Sequence, residues 1–548
     1  MKRLGIAALV LALLLLLGWQ LLPGLLIRLP SLFAPAVGPP RDVTWEAGPA
    51  EAAAPPGERP PNVILILADD LGWNDLSFRG GGLGAGQVKT PRIDSLAQEG
   101  VSFMAGYAAN ASCAPSRAAL LTGRYPTRSG YEFTPAGVPF MRGVALFNRN
   151  EVPPPIYHDE IADTYPPREE QGLPPSEITL AELLQERGYR TLHFGKWHLG
   201  EVEKFRPEAQ GFDESLGFYS GASMFLPEDH PDVVNSKQDF DPIDRFLWAN
   251  LPFAVRKNGS EPFAPSGYLT DYLADEAVKA IEANRNRPFF MYLAFNAPHT
   301  PLQALRSDYD ALPGVASHTE RVYGAMMLSL DRAVGRVLDA LAAHGLEENT
   351  LVFFTSDNGG ANYVGLPDLN RPFRGWKLTF FEGGVHMPFF LRWPKALPRG
   401  VEYAAPVAGF DVFATAAAAA GAELPADRVI DGVDLVPFVT GAQGGRPHDA
   451  LFWRSGHYRV VRAGDWKLQL SKRPDKAWLF DLASDPTERV NLAEREPARV
   501  AELTALLDAH DATQAAPLWP SLLEAAVRID PPLGVESRPD DEYVYWAN

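Results

Sequence analysis

The sequence predicts an α/β fold: a large, mainly parallel sheet sandwiched by helices, with a smaller C-terminal α+β domain containing an antiparallel sheet. Between residues 62 and 444, short continuous apolar runs alternate with helical patterns, as expected when parallel strands are buried on both faces. After residue 445 the pattern changes to aromatic-rich strands in which apolar and polar residues alternate, followed by one helix.

Five apolar runs are predicted to be strands of the large sheet. The first, Val63–Leu67, is continuous and rich in branched side chains, which indicates burial on both faces. The other four are Thr191–Phe194, Phe289–Phe295, Leu351–Thr355 and Pro388–Arg392. Helical patterns precede three of these strands, at Ile178–Glu186, Tyr272–Ala283 and Tyr323–Ala342.

Residues 445–548 are predicted to form the smaller domain. The stretches ALFWRSGHYRVVRAGDWKLQL and AWLFDLASDP are typical of antiparallel strands joined by turns, and Ala498–His510 has the pattern of an amphipathic helix. Two segments fall outside this scheme. They are the proline-rich, acidic residues 145–176 and the aromatic tail, PLWPSLL and DDEYVYWAN.

The N-terminal residues 1–28 carry Lys2 and Arg3, followed by an apolar run from Leu4 to Ile27. As a helix this run would be about 36 Å long at about 1.5 Å per residue, which is enough to cross a bilayer. It fits a retained membrane anchor and a cleaved signal peptide equally well, and a buried core helix less well. In both favoured cases the rest of the chain is exported to the periplasm or beyond, and an anchor would hold it on the inner (cytoplasmic) membrane.

Composition limits the kinds of segment, partner and covalent cross-link that are expected for this chain. Residues 29–61 are rich in proline and alanine without an apolar period, which predicts a linker. The formal net charge of −18 argues against a nucleic-acid partner. Cys113 is the single cysteine of the 548 residues, so no disulfide can form within the chain, although export would permit one.

Polar residues follow four of the predicted strands at the point where each strand ends. In open α/β sheets, ligand sites lie beyond the carboxyl ends of the strands. We therefore expect these side chains to meet at one rim of the sheet. They are Asp69, Asp70, Lys196, His198, His299, Asp357 and Asn358.

Four of these residues, Asp69, Asp70, Asp357 and Asn358, offer oxygen ligands. Hard oxygen donors suit Ca²⁺ or Mg²⁺ better than zinc. Either pair alone would be an ordinary loop or helix cap, but two such pairs that both follow buried strands favour a metal site.

Cys113 is predicted to open a helix, because Pro115 suits a first turn and Gly123 a C-terminal stop. At a helix N-terminus the dipole stabilises negative charge, so a reactive thiolate is one interpretation. A small buried apolar residue is the other.

The stretch CAPSRAALLTGR, Cys113–Arg124, resembles the motif Cys-x-Pro-Ser-Arg-x-x-Leu-x-x-Gly-Arg of the type I, formylglycine-dependent sulfatases of the alkaline phosphatase superfamily. The resemblance extends over about residues 62–495 through NVILILADDLGWND, GKWHLG, APHTPLQ, TSDNGG, RGWKLTFFEGG and LFDLASDPTERVNLA. It implies an alkaline phosphatase-like fold and an arylsulfatase-like sulfuric ester hydrolase. His386 departs from the family pattern, which often has arginine there.

The resemblance implies that a formylglycine-generating enzyme converts Cys113 to an aldehyde. Its hydrate, a geminal diol, would attack the sulfate ester with Ca²⁺ assistance (Mg²⁺ is less favoured), releasing inorganic sulfate and an alcohol. The implied metal ligands are Asp69, Asp70, Asp357, Asn358 and the modified Cys113. Of the implied catalytic residues, Arg117 orients the hydrate, Lys196 and Lys377 hold sulfate oxygens, His198 is the base, and His299 protonates the leaving alkoxide.

Two other functions stay open at this point. One is a phosphodiesterase or phosphonate monoester hydrolase that uses the same aldehyde, and the other is an inactive protein that binds sulfated glycans. The nature of the sulfated alcohol also stays open among phenol, sterol and sugar. Residues 145–176 and the aromatic tail fit surface packing slightly better than a role in a substrate pocket or an oligomer contact.

Overall fold

The computed structural model describes residues 28, 30–149, 151 and 153–548. The strands among them are β1 Asn62–Ala68, β2 Val101–Phe103, β3 Gly106–Tyr107, β4 Ile156–Tyr157, β5 Arg190–Lys196, β6 Glu214–Phe218, β7 Val233–Ser236, β8 Arg256–Lys257, β9 Phe289–Ala294, β10 Leu302–Leu305, β11 Thr350–Ser356, β12 Phe389–Arg392, β13 Val401–Tyr403, β14 Val407–Ala408, β15 Ala450–Ser455, β16 Tyr458–Ala463, β17 Trp466–Lys472, β18 Asp475–Asp481, β19 Leu523–Arg528 and β20 Tyr543–Ala547.

The helices of seven or more described residues cover the sheets. They are α1 Pro91–Gln98, α2 Cys113–Thr122, α3 Val138–Phe147, α4 Leu180–Glu186, α5 Pro242–Asn250, α6 Leu269–Asn284, α7 His318–Ala343, α8 Asp411–Ala419 and α9 Pro497–Asp511. Helix α7 begins five residues before its predicted start, because Ser317 caps it by accepting a hydrogen bond from the Glu320 backbone N–H.

The large sheet has nine strands in the order β13-β2-β12-β11-β1-β9-β5-β6-β8. Strand β1 pairs in parallel with β11 and β9, and β5 pairs in parallel with β9 and β6. Antiparallel pairs occur toward the sides, where β12 lies between β11 and β2 and where β8 joins β6. The predicted mainly parallel sheet is confirmed.

Strand β1 is buried along its whole length, and its side chains feed two separate cores. Ile64 and Ile66 belong to the core that includes residues of α6 and α7. Val63 and Leu65 belong to the opposite core, which includes residues of α2, α4 and α8. This two-sided burial explains why the strand reads as a continuous apolar run rather than an alternating one.

The C-terminal region contains the predicted antiparallel sheet, with the order β15-β16-β17-β18. Helix α9 packs on it through Leu503 and Leu507. The aromatic tail then forms β19 and β20, which make a three-stranded sheet with β4. Strand β4 belongs to the proline-rich segment 145–176, so two segments that lay outside the predicted scheme pair with each other.

The segment 29–61 was predicted to be a linker, and from residue 30 onward it lies against the large domain. The Trp45 ring is 4.7 Å from that of Phe194, and its Nε1 donates a 2.9 Å hydrogen bond to Glu276. The predicted signal peptide or anchor falls, except for residue 28, outside the described residues. Within the part of the chain that is described, no helix has both the length and the apolar character needed to cross a membrane.

Candidate active site

The carboxyl ends of β1 and β11 bring the two acidic pairs together. Ala68 and Ser356 are register partners, so Asp69–Asp70 and Asp357–Asn358 leave the sheet side by side. The Asp70 backbone N–H donates to Asp357 Oδ1 at 3.2 Å. Asp70 has φ 63°, a left-handed conformation that costs on the order of 1 kcal/mol for a non-glycine residue. The neighbouring strand therefore holds this turn in a strained geometry.

Helix α2 places its first residue next to these carboxylates. It begins at Cys113 and ends at Thr122, and the next residue, Gly123, has a φ of 69° that suits the predicted glycine stop. The Cys113 Sγ lies 3.6 Å from Asp69 Oδ1 and 3.7 Å from Asp70 Oδ1. The helix thus presents its only thiol directly above both aspartates.

Arg117 lies one helical turn after Cys113 and is completely buried. Its Nε donates to Asp357 Oδ2 at 2.9 Å, and its Nη1 donates to the Lys196 carbonyl at 3.1 Å and to Tyr292 Oη at 3.4 Å. The guanidinium ties α2 to the ends of β11, β5 and β9, so it fixes where the cysteine stands.

Each of the two aspartates is paired with one lysine. Lys196 Nζ donates to both oxygens of Asp69 at 2.8 and 2.7 Å, and Lys377 Nζ donates to both oxygens of Asp70 at 2.7 and 2.9 Å. Burial alone would lower the pKa of Lys377, but the charge of Asp70 raises that pKa well above its usual range. The lysine therefore carries a full positive charge at the site.

Burial and the nearby carboxylates, foremost Asp357, raise the pKa of the Cys113 thiol. The interpretation of Cys113 as a thiolate stabilised by its helix is therefore not supported, because burial and the facing carboxylates outweigh the charges of Lys196 and Lys377 on the pKa of the thiol. The same desolvation, together with the charge of Asp69, raises the pKa of Asp357.

Both predicted histidines are uncharged in this environment. Burial lowers the pKa of His299 to about 3, and it lowers that of His198 well below its usual range, helped by Lys196. His299 Nδ1 lies 2.6 Å from the Thr300 carbonyl and so carries the proton, which leaves Nε2 facing Asp70 Oδ2 at 3.6 Å. The buried His198 Nδ1 has no hydrogen-bond partner.

One residue at the site was missed by the sequence analysis. Tyr363 Oη donates to Asp70 Oδ2 at 2.6 Å and accepts a 3.0 Å hydrogen bond from Lys377 Nζ. It lies between the TSDNGG and RGWK motifs, in a stretch with no strand or helix pattern of its own. Its position five residues after Asn358 is the only signal in the sequence.

Possible metal-ligand atoms of Asp69, Asp70, Cys113 and His299 all lie within 4.8 Å of one another. Asn358 Oδ1 is buried nearby without a hydrogen-bond partner, while its Nδ2 donates to Asp70 Oδ1 at 2.7 Å. A buried carbonyl oxygen without a donor, next to two carboxylates, fits a hard cation. The oxygens of Asp357 are less available to a cation, since Oδ2 accepts a hydrogen bond from Arg117 and Oδ1 accepts one from the Asp70 backbone.

A cavity of about 760 Å³ opens above these residues. Cys113, His198, His299, Tyr363 and Lys377 all line it. Asp69, Arg117, Lys196, Asp357 and Asn358 are fully buried. Nine of the ten predicted site residues thus divide into a layer that faces the cavity and a layer that supports it. The tenth, Asp70, is buried and accepts hydrogen bonds from Lys377 and Tyr363 of the first layer.

The fold and this site define a hydrolase of the alkaline phosphatase-like class. The sulfatase family model matches residues 61–422, and the chain belongs to the sulfatase family. It is 34% identical over 599 residues to mouse (Mus musculus) steryl-sulfatase, covering 91% of this chain and 89% of the relative. It is 36% identical over 430 residues to dog (Canis lupus familiaris) N-acetylgalactosamine-6-sulfatase, covering 77% of this chain and 73% of the relative. The protein is therefore a sulfuric ester hydrolase.

Solved structures share the fold. The crystal structure of Ps i-CgsB superposes with a TM-score of 0.70 at 31% sequence identity, covering 84% of this chain and 95% of that one. A phosphonate monoester hydrolase of Agrobacterium radiobacter superposes with a TM-score of 0.57 at 20% identity, covering 82% of this chain and 96% of that one. The second similarity shows the shared fold alone.

Proposed function

We propose that the protein hydrolyses sulfate esters through a formylglycine made from Cys113, with Ca²⁺ held by Asp69, Asp70, Asp357 and Asn358. The observation that carries the proposal is the position of Cys113. Its sulfur lies within 4 Å of both aspartates, at the N-terminus of α2 and at the floor of the cavity.

The two absent groups would each supply one part of the chemistry. Ca²⁺ would withdraw negative charge from the sulfate oxygens, and formylglycine would supply a hydrated aldehyde as the nucleophile. A buried thiol facing two carboxylates is a poor nucleophile in its own right, which is consistent with a residue that serves as a precursor. Arg117 orients residue 113 through its contacts with Asp357 and the Lys196 carbonyl.

The lysines differ in what they can do. Lys377 lines the cavity next to Cys113, so its ammonium can bind a sulfate oxygen and stabilise the charge that develops there. Lys196 is fully buried beneath the cavity and donates to both oxygens of Asp69. We assign Lys196 mainly to holding that carboxylate and to adding positive charge below the reacting group.

The two histidines carry out the proton transfers of the reaction. His198 is neutral with a free Nδ1, which suits a base that takes a proton from the residue 113 side chain. His299 would protonate the leaving alkoxide oxygen to give the alcohol, and for this its Nε2 must first gain a proton. An anionic ester bound beside the ring favours that protonation, since a nearby negative charge raises the pKa of an imidazole.

We also propose that the chain is exported and that its N-terminal apolar run serves as signal peptide or membrane anchor. The support is the sequence of residues 1–28, with two basic residues before the run. Separation of membrane and soluble fractions, with the N-terminus of the exported form sequenced, tests this. A chain found intact in the cytoplasm would contradict it.

The decisive experiment is peptide mass spectrometry of the segment around Cys113, from protein produced together with a formylglycine-generating enzyme. We expect a mass that corresponds to the aldehyde or its hydrate, and loss of aryl sulfate turnover in Cys113→Ala. An unmodified thiol in the active protein would overturn the proposal. Faster turnover of a matched phosphate diester than of the aryl sulfate would favour the phosphodiesterase function instead.

A further inference from the structure

The cavity above Cys113 is polar at one end and apolar over most of its remaining wall. The polar end consists of the residues already assigned to the sulfate group, among them His198, His299 and Lys377. The wall beyond them surrounds the alcohol part of the ester and so determines which sulfate esters fit the cavity. The chemistry of this wall is therefore distinct from that of the reacting group.

Two helices supply a large apolar part of this wall. Helix α3 contributes Phe140, Met141 and Val144, and helix α5 contributes Ile243, Phe246 and Leu247. The Phe140 and Phe246 rings meet edge to face with centroids 5.1 Å apart. This aromatic pair joins the two helices, so the apolar wall is continuous from one helix to the other.

Segments far away in the sequence complete the enclosure. The aromatic tail adds Leu523 and Trp546, and the Trp546 ring is held 5.1 Å from the Phe380 ring. The extended N-terminal segment adds Ala34, Pro35 and Val37. The tail, for which surface packing had been slightly favoured, thus lines the cavity.

Polar side chains on the wall are largely engaged with the protein. Asn250 accepts a hydrogen bond from the Ser31 backbone N–H at 3.0 Å and donates to the Phe246 carbonyl at 2.9 Å. Asn548 makes the same kind of two-sided contact with the Thr134 backbone, at 2.7 and 3.2 Å. Arg168 is paired with Glu201 at 2.5 Å. Arg206 and Arg256, farther along the wall, donate to the Glu201 and Ser260 carbonyls at 2.9 and 2.7 Å, and the buried Tyr219 Oη has no hydrogen-bond partner among the described residues. Donors that could bind the hydroxyl groups of a sugar are therefore concentrated on this side of the wall, away from α3 and α5.

We propose that the substrate is the sulfate ester of a large, rigid, apolar alcohol, which fills the space between α3, α5 and Trp546. The inference rests on the proposed function and names its substrate class. A cavity of about 760 Å³ is in the range that encloses a drug-sized ligand. Between α3, α5 and Trp546 a sugar would lose water from several hydroxyls and regain few hydrogen bonds, which opposes binding there.

The test compares phenyl sulfate with estrone 3-sulfate, using the full-length, formylglycine-containing protein. Both esters release a phenol, so they differ mainly in the apolar body beyond the first ring. We expect kcat/KM to be about 100-fold higher for estrone 3-sulfate, because the buried apolar area is much larger. We expect N-acetylgalactosamine 6-sulfate to be a poorer substrate than either.

A variant locates the effect on the wall. Phe246→Asn introduces an amide into the apolar face of α5 and should lower kcat/KM for estrone 3-sulfate about 10-fold, with phenyl sulfate changed less than about 2-fold. Arg245→Gln is the matched control, since Arg245 is exposed on the same helix and does not line the cavity. If Phe246→Asn lost both activities equally through misfolding, Leu247→Asn would repeat the test on the adjacent wall residue.

Binding to Cys113→Ala, measured by calorimetry, separates this inference from the proposed chemistry. Tighter binding of estrone 3-sulfate than of phenyl sulfate supports the apolar wall even if residue 113 proves not to be the nucleophile. Equal binding, or tighter binding of the sugar sulfate, overturns the inference and leaves the proposed reaction standing. If both esters bind as expected and neither is hydrolysed by the aldehyde-containing protein, the proposed function fails instead.

Discussion

Two clusters of buried charges are connected by the short segment 378–381, since Lys377 belongs to the first and Glu382 to the second. They differ in whether all their polar atoms have hydrogen-bond partners within the protein. The first surrounds Cys113 and consists of Asp69, Asp70, Arg117, Lys196, Asp357 and Lys377. The second joins the short helix Glu382–Val385 to β17. In it, Lys467 Nζ donates to Glu382 Oε1 at 2.7 Å and lies 3.0 Å from Glu488 Oε1.

The second cluster is closed. Glu382 Oε2 accepts from Tyr107 Oη at 2.7 Å and lies 2.8 Å from His386 Nδ1, while Glu488 Oε2 accepts from the Glu382 backbone at 2.6 Å. The departure at His386 is thereby explained, since the imidazole bridges Glu382 and the Met104 carbonyl. All four carboxylate oxygens have partners, and none of these residues lines the cavity.

The first cluster is open. Beside it, Asn358 Oδ1 and His198 Nδ1 are buried without partners, and its own Lys377 faces a cavity. Similar charges therefore serve two purposes: a satisfied network holds two parts of the fold together, and an unsatisfied one is ready for a ligand. Replacing the lysine of the open cluster should therefore mainly lower activity, and replacing the lysine of the closed cluster should mainly lower stability.

The largest effect is expected for Lys377→Ala in the open cluster. Removing a positive charge that faces the reacting sulfate should lower kcat/KM for aryl sulfate roughly 10²–10³-fold. The thermal midpoint should fall less than in Lys467→Met, because Asp70 keeps its hydrogen bonds from Tyr363 and Asn358 after the lysine is removed. Steady-state kinetics and a melting curve on the same preparation check both parts, and a loss of activity that merely follows unfolding would contradict them.

Lys467→Met should show the reverse behaviour. It leaves Glu382 and Glu488 buried without their shared cation, so the free energy of unfolding should fall by about 3–5 kcal/mol. The kcat of the folded fraction should stay close to that of the parent protein. Denaturant unfolding followed by fluorescence measures the first quantity, and an unchanged unfolding midpoint would show that the closed cluster has no structural role.

A smaller effect is expected from calcium on the unmodified protein. Ca²⁺ at 100 times its Kd should stabilise the folded state by about 2.7 kcal/mol, since it binds only where the carboxylates are assembled. The shift should be largely lost in Asp70→Asn and retained in Lys467→Met, relative to each variant without Ca²⁺. Thermal shifts with Mg²⁺ at the same concentration serve as the control, and an equal shift in Asp70→Asn would place the ion elsewhere.

The smallest effect concerns pH. Burial, reinforced by the charge of Glu382, raises the pKa of Glu488 to about 7 from a usual value of 4.5. A folded-state pKa above the unfolded one means that this residue's contribution to stability is present at low pH and is lost as pH rises from 4.5 to 7. Glu488→Gln removes that dependence, so its stability relative to the parent should rise between pH 5 and pH 8 on the order of 2 kcal/mol. Parallel curves for the two proteins would contradict the assignment.

Local sequence patterns predicted much of the fold. The five apolar runs became strands β1, β5, β9, β11 and β12, because continuous burial leaves a signature within the strand itself. The polar residues at their carboxyl ends could also be foreseen, since parallel strands end at the same edge of a sheet. Cys113 and Gly123 marked the two ends of α2 by helix capping rules alone.

Tertiary structure decided the remaining features, because they depend on which distant segments meet. Nothing in the sequence near Tyr363 indicates that its hydroxyl reaches Asp70. The cavity wall is assembled from segments near residues 34–37, 140–144, 243–251 and 523–548, and each alone looks like an ordinary surface or core stretch. The motif by itself indicated a sulfatase, because its residues are adjacent in the sequence, whereas the packing of α3, α5 and the tail decided which side chains line the cavity.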